Sequence, residues 1–257
     1  METLEWSLEN RVATIYLNRP PVNALNRRLF EELYELLEQI ESNDEVKAVI
    51  LTAKGDRAFA AGADIREMAD LDARGMEQMN RLSRRTFDML ENLSKPVVAG
   101  INGLALGGGC ELALCCDFRI CSEHAKIGLP EVTLAIMPGG GGTQRLQRLI
   151  GQAKAKEMLY FGDAVSADEA YRIGLVNRVV PPEKLLETCV EWAEKLAAKP
   201  AVALRMIKRS VNAGANLDLC SALTFESACF GNVFATEDRK EGMAAFVEKR
   251  KPVFADR

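Results

Sequence analysis

Two glutamates stand where the hydrophobic pattern asks for core residues. Glu111 lies in "LALGGGCELAL" (104–114), just after three consecutive glycines, and Glu131 lies in "IGLPEVTLAIMPGGGGTQRL", behind Pro130 and flanked by Leu129, Val132 and Leu134. A carboxylate is costly to bury among apolar side chains, so such positions ask for a chemical reason. Gly107, Gly108 and Gly109 join a strand-like segment to an apolar helical run, which puts bare backbone at a helix N-terminus. The first amides of a helix have no intrahelical acceptor and can bind an anion or a developing oxyanion, and glycine lets a ligand come close. A turn or tight packing would use the same glycines. The helix dipole should favour ionised Glu111, as a base requires, although a capping or salt-bridged carboxylate fits too. Desolvation should raise the pKa of Glu131 and keep a proton available near neutrality, unless it is a surface loop carboxylate. Carboxylates pushed in opposite directions form an acid/base pair in principle.

Other chemistries are poorly served by this sequence. The single histidine, His124 in "CSEHAKIG", sits in what reads as a solvated turn, so a Ser-His-Asp or Cys-His centre has no good base. No G-x-S-x-G, G-x-x-x-x-G-K-[ST] or H-E-x-x-H occurs, and neither glycine cluster spells G-x-G-x-x-G. The seven cysteines include no C-x-x-C and most keep apolar company, which predicts buried free thiols in a reducing compartment rather than a metal site. A net charge of -4 speaks against nucleic acid as the main partner. The basic clusters "NRLSRR" and "EKRKP" could be invoked for RNA, but they fit a solvated helix face and an oligomer or phosphate contact better. Charges throughout the first eighteen residues match neither a secretory nor a transit peptide, and no apolar run suits a membrane span. A soluble, cytoplasmic protein is expected, or a matrix one if a leader has been removed.

The elements that must position the glutamates alternate between strand and helix. Leu4 to Leu17 reads as a β-hairpin about "ENR", and Asn26 to about Ser42 as an amphipathic helix with Leu29, Phe30, Leu33, Leu36, Leu37 and Ile40 on one face. "VKAVILTA" reads as a buried strand, "KGDRAFAAGADI" as a loop leading into a short helix, Met79 to Leu93 as a second helix, and "KPVVAGING" as a strand ending in a turn. Gly139 to Gly142 reads as a flexible turn before another helix. Strands and helices at this interval imply an α/β fold with a largely parallel sheet. A hydrophobic fraction of 48% can fill its core. Beyond "LVNRVVPPEKL" the pattern becomes helix upon helix, which places a boundary near residue 196 between an α/β core (1–195) and a helical segment (196–257).

Read together, "NRPPVNAL", "AFAAGADI", "KPVVAGINGLALGGGCELALCCDFRI", "GLPEVTLAIMPGGGGTQRL", "ADEAYRIGLVNRVV" and "TEDRKEGMAAFVEKRKPVF" span nearly the whole chain in order. The sequence resembles the enoyl-CoA hydratase/isomerase, or crotonase, superfamily, and is most similar to short-chain enoyl-CoA hydratases. The resemblance implies a spiral of ββα units with a helical C-terminal trimerisation region, and a homotrimer or homohexamer. It implies Glu111 and Glu131 as the catalytic carboxylates, and the amides of Ala63 and Gly108 as the oxyanion hole. It also implies Ala61, whose carbonyl contacts the adenine of coenzyme A, with Ala63, Asp64, Ile65 and Gly108 along the substrate. The expected reaction is reversible hydration of a trans-2-enoyl-CoA to a 3-hydroxyacyl-CoA, with no metal and no cofactor, because coenzyme A arrives as part of the substrate. Such a step serves fatty-acid β-oxidation, butyrate fermentation or amino-acid breakdown. Δ3–Δ2 isomerisation, and hydration of methylglutaconyl-CoA or carnitinyl-CoA, stay open as alternatives, as does a non-catalytic RNA-binding or scaffold role. Lys54, Arg57 and Lys249 are candidates for the coenzyme A phosphates, and the segment Ile65 to Met79 for the acyl-chain pocket.

Overall fold

A computed structural model describes residues 1–256. The chain begins as the predicted hairpin, β1 (Leu4–Glu9) against β2 (Val12–Leu17), and its two-residue turn puts Asn10 and Arg11 at φ 49° and 66°. Positive φ at both turn positions matches the twist of the paired strands. Helix α1 (Arg27–Ser42) starts where Asn26 accepts the amide N–H of Leu29, and it buries the six apolar residues that the spacing placed on one face.

Three ββα turns follow. They comprise β3 (Ala48–Ala53), β4 (Ala58–Ala61), α2 (Ile65–Ala69) and α3 (Ala73–Asn92), then β5 (Val97–Ile101), β6 (Leu104–Leu106) and α4 (Gly108–Leu114). The third has β7 (Phe118–Ser122) and β8 (Lys126–Gly128), a 3-10 turn at Pro130–Leu134, α5 (Gly142–Ile150) and α6 (Gln152–Phe161). In each turn the first strand joins one sheet and the second joins another. The six-stranded sheet runs β1-β2-β3-β5-β7-β10, parallel from β2 onward, and the four-stranded one runs β4-β6-β8-β9. Their last members, β9 (Val165–Ser166) and β10 (Arg178–Val180), flank α7 (Ala167–Arg172). Entering two sheets by turns winds the chain into a spiral and brings every second-strand end, with the loop after it, to one side of the molecule.

The stretch 54–65, expected as a loop, contains β4. Ala58, Phe59 and Ala60 are buried, and β4 pairs in parallel with β6, so small apolar side chains serve a strand here rather than flexibility. They also let α4 sit directly on β4: a Cβ at Gly109 would lie 1.9 Å from the Ala60 carbonyl oxygen, and only glycine allows that approach. The second expected helix, α3, begins before Met79, because Asp72 caps it by accepting the Gly75 N–H.

One hydrophobic cluster fills the space among the two sheets, α1, α3 and α4; a smaller one lies on the outer face of the six-stranded sheet. There α8 (Leu185–Ala197) sets Leu185, Cys189, Ala193 and Ala197 against Val12, Ala48, Ile50, Val98 and Ile120. Helices α9 (Ala201–Gly214), α10 (Leu219–Phe234) and α11 (Glu237–Glu248) complete the chain. Their attachment to the core includes polar ties. Lys208 meets Asp117 at 2.9 Å, and Asp256 meets Lys47 and Arg11, both at 2.9 Å. No helix among the described residues is long and apolar enough to cross a membrane.

Candidate active site

The ends of β4, β6 and β8 open onto one cavity of about 740 Å³. Ala61, Ala63, Asp64, Ile65, Gly108, Glu111 and Glu131 all line it, so the structure brings the expected carboxylates, main-chain donors and substrate contacts to one place. Ile65, Met68, Met76 and Met79 from the segment named for the acyl chain form part of its wall. Phe30 and Phe87, stacked edge to face with ring centroids 5.5 Å apart, also line it. Lys54, Arg57 and Lys249 do not, and Lys54 is engaged by Glu5 at 2.9 Å. His124 is exposed in a turn, away from the cavity.

Two main-chain donors meet at the rim. Gly108 is the first residue of α4, with Gly107 as its N-cap, so its N–H precedes the helical ladder. Ala63 follows the positive-φ Gly62 and is anchored by parallel bridging to Leu25, with Leu25 donating to the Gly62 carbonyl and Asp64 to that of Leu25. Neither Ala63 N–H nor Gly108 N–H donates to a protein acceptor among the described residues. A Cβ built on Gly108 would lie 3.7 Å from the Ala63 nitrogen, which places the two donors side by side. Asp64 touches the cavity, but its carboxylate is committed elsewhere. It caps α2 through the Arg66 and Glu67 amides and meets Arg19 at 2.6 Å. Burial opposes its ionisation, yet the Arg19 and amide hydrogen bonds hold it below the usual carboxylate range.

The two glutamates differ in their partners. Glu111, 4% exposed, receives two backbone hydrogen bonds on Oε1, from Gly140 N at 2.8 Å and Gly142 N at 2.7 Å. Glu131 stands on the 3-10 turn, and its buried Oε2 has no hydrogen-bond partner. Burial pushes its pKa up to about 7, with the nearby Glu111 charge adding to the rise. The expectation that their surroundings push the two carboxyls in opposite directions is corrected by the structure. Burial raises Glu111 as well, against the opposing pull of the two amides and Arg145. Helix α4 has only seven residues, six of them buried, and its end effect does not replace the lost water. The two carboxyls are therefore shifted in the same direction and separated by their donors.

The amides of Gly140 and Gly142 are not identifiable from the sequence alone, where that glycine run reads as a flexible turn. The available signal was its likeness to the first run: in both, glycines lead directly into a helix. The grip of Arg145 on this loop, described below, also went unrecognised.

A two-sheet ββα spiral thus gathers two carboxyls and two free main-chain N–H groups at one strand-end cavity. The family model for enoyl-CoA hydratase/isomerase matches residues 7–257, and the chain belongs to that family. It is 47% identical to the crotonyl-CoA hydratase of Syntrophomonas wolfei, over 96% of this chain and 95% of that one. It is 48% identical to the short-chain-enoyl-CoA hydratase of Clostridium acetobutylicum, over 95% and 94% respectively. The crystal structure of enoyl-CoA hydratase from Bacillus anthracis superposes with a TM-score of 0.96 at 44% identity, covering 99% of this chain and 100% of that one.

Proposed function

We propose that this enzyme adds water reversibly across the double bond of a short-chain trans-2-enoyl-CoA. The observation that carries the reading is the pair of carboxyls on one cavity wall, one held by two amides and one without a donor on its buried oxygen, beside two unused main-chain N–H groups. The thioester oxygen binds between Ala63 N–H and Gly108 N–H, where negative charge develops as water attacks C3. Each such donor stabilises the enolate-like transition state by about 3 kcal/mol.

Glu111, whose Oε1 is held by two donors, takes the proton from water as the new C–O bond forms. Glu131, whose pKa burial lifts to about 7, gives its proton to C2. The product leaves Glu111 protonated and Glu131 ionised, and proton exchange with solvent resets the pair. The thioester is the electron sink, so the reaction as proposed calls for no further cofactor. The unequal donors support this division: two amides fix Glu111 Oε1, while the buried Oε2 of Glu131 has none.

A homotrimer or homohexamer is part of the same reading. It is supported by the apolar side chains left exposed on the C-terminal helices, among them Leu219 at 75%, Phe230 at 64% and Phe246 at 86%. Six buried thiols among the seven free cysteines suit the reducing cytoplasm. A place in fatty-acid β-oxidation would follow from the activity. The test is turnover of crotonyl-CoA, followed by a panel of longer and branched enoyl-CoAs. Fast hydration that declines with chain length supports the reading, whereas exclusive isomerisation of 3-enoyl-CoA would replace it.

A further inference from the structure

The Gly139–Gly142 loop, whose first two residues line the cavity, is gripped by a guanidinium that does not. Arg145 Nη1 donates to the Gly140 carbonyl at 2.8 Å. The same peptide unit's neighbour faces the other way, with Gly140 N–H on Glu111 Oε1. A Cβ on Gly141 would fall 2.1 Å from Arg145 Nη1, so the guanidinium lies directly against the loop backbone. Its remaining donors are fixed by α3, with Nε meeting Glu91 Oε1 at 3.0 Å, Nη2 meeting Glu91 Oε2 at 2.6 Å, and Asp88 at 3.3 Å from Nη2. Such a planar fork holds orientation as well as charge, which a lysine would not reproduce. Arg145 does not line the cavity.

We propose that Arg145, oriented by Glu91, is a positioning residue for hydration: it holds the Gly139–Gly142 loop so that the Gly140 and Gly142 amides converge on Glu111 Oε1. This rests on the function proposed above. Arg145 acts twice through Glu111, by fixing its two donors and by placing a cation near it that favours the carboxylate. The charged and titratable groups around this pair are Glu131 on the 3-10 turn, Cys110 on α4, Cys115 at its C-terminal cap, and Glu91 and Asp88 on α3. The two thiols are buried with raised pKa values, so the acidic range reports on the carboxyls.

Arg145→Ala and Arg145→Lys, with Glu91→Gln, test the assignment. Three readouts are taken: kcat against KM on crotonyl-CoA, the acidic limb of the kcat profile, and the Glu111 carboxyl pKa from carbon-13 NMR of glutamate-labelled protein. Arg145→Ala should lower kcat about 10- to 100-fold with KM within about threefold. Its acidic limb and its Glu111 pKa should both rise. Added guanidinium, below denaturing concentration, should restore part of kcat in Arg145→Ala and none in the parent. Glu91→Gln should give the same pattern at smaller size. If the alanine variant does not fold, Arg145→Lys decides by the same three readouts, because it keeps a charge and loses the fork. An unmoved Glu111 pKa in a folded variant overturns the assignment, as does lost activity without a shifted limb. A parent protein inert on enoyl-CoA would instead count against the proposed function, while the NMR comparison still decides the role of Arg145.

Discussion

The segments that carry Glu111 and Glu131 present the same side chain to the same cavity in unlike ways. Glu111 rises from the first turn of α4, where flanking residues are packed, and both hydrogen bonds to its Oε1 come from a second loop braced by Arg145. Glu131 stands on a 3-10 turn of which no residue is buried, and its enclosed Oε2 meets nothing. Burial raises both pKa values, so burial does not separate their roles. The number of donors does. A carboxylate with two fixed N–H partners keeps its geometry through proton transfer, whereas one whose buried oxygen has no partner holds its proton close to neutrality.

Glu111→Gln should break the comparison hardest, lowering kcat on crotonyl-CoA by about 10³–10⁴-fold, because the group that takes the water proton is gone. Circular dichroism and thermal melting should stay close to the parent, since the amide oxygen still accepts from Gly140 and Gly142. Glu131→Gln should cost about 10²–10³-fold and remove the alkaline limb of kcat/KM, which the parent should show near pH 7 as Glu131 loses its proton. A limb that persists unchanged in that variant would assign it to another group.

Gly140→Ala sharpens the comparison by starting from the donor loop. A Cβ there would lie 2.2 Å from Phe87 Cε2 and 2.7 Å from Glu111 Oε2, so the loop must retreat. Stability should fall by about 1–3 kcal/mol by denaturant titration, and kcat should fall further than KM changes. The smallest effect belongs to stability at Glu131. Its pKa rises from 4.5 to about 7 on folding, so the folded chain binds more protons between those values. That contribution is intact below pH 4.5 and lost as pH rises through 7. Glu131→Gln should therefore be more stable than the parent at pH 8, by about 1–2 kcal/mol once solvent access to the side chain is discounted. At pH 4 the two should melt together.

Much of this arrangement was legible in the letters. Periodicity located α1 from Asn26 to Ser42 because an asparagine cap and six apolar positions agree on the same helix. The hairpin, β3, β5 and the helix after the first glycine run follow from equally local signals. What stayed hidden depends on partners distant in sequence. β4 is a strand because β6 lies beside it, forty-odd residues away, and Glu111 finds its donors 29 and 31 residues on. The sign of the Glu111 shift was misjudged for a related reason. The dipole of α4 can be read from its place in the sequence, while the depth of its burial is set by the whole fold.

Titration of the glutamate side-chain carboxyls by carbon-13 NMR reads this division directly, with Glu111→Gln and Glu131→Gln supplying the assignments. The Glu131 resonance should titrate near pH 7 in the parent and move to lower pH once Glu111 is neutral, since the neighbouring charge adds to its rise. A Glu131 that titrates at the ordinary 4.5, unaffected by replacement of Glu111, would mean that the two carboxyls neither share a desolvated cavity nor act as a pair.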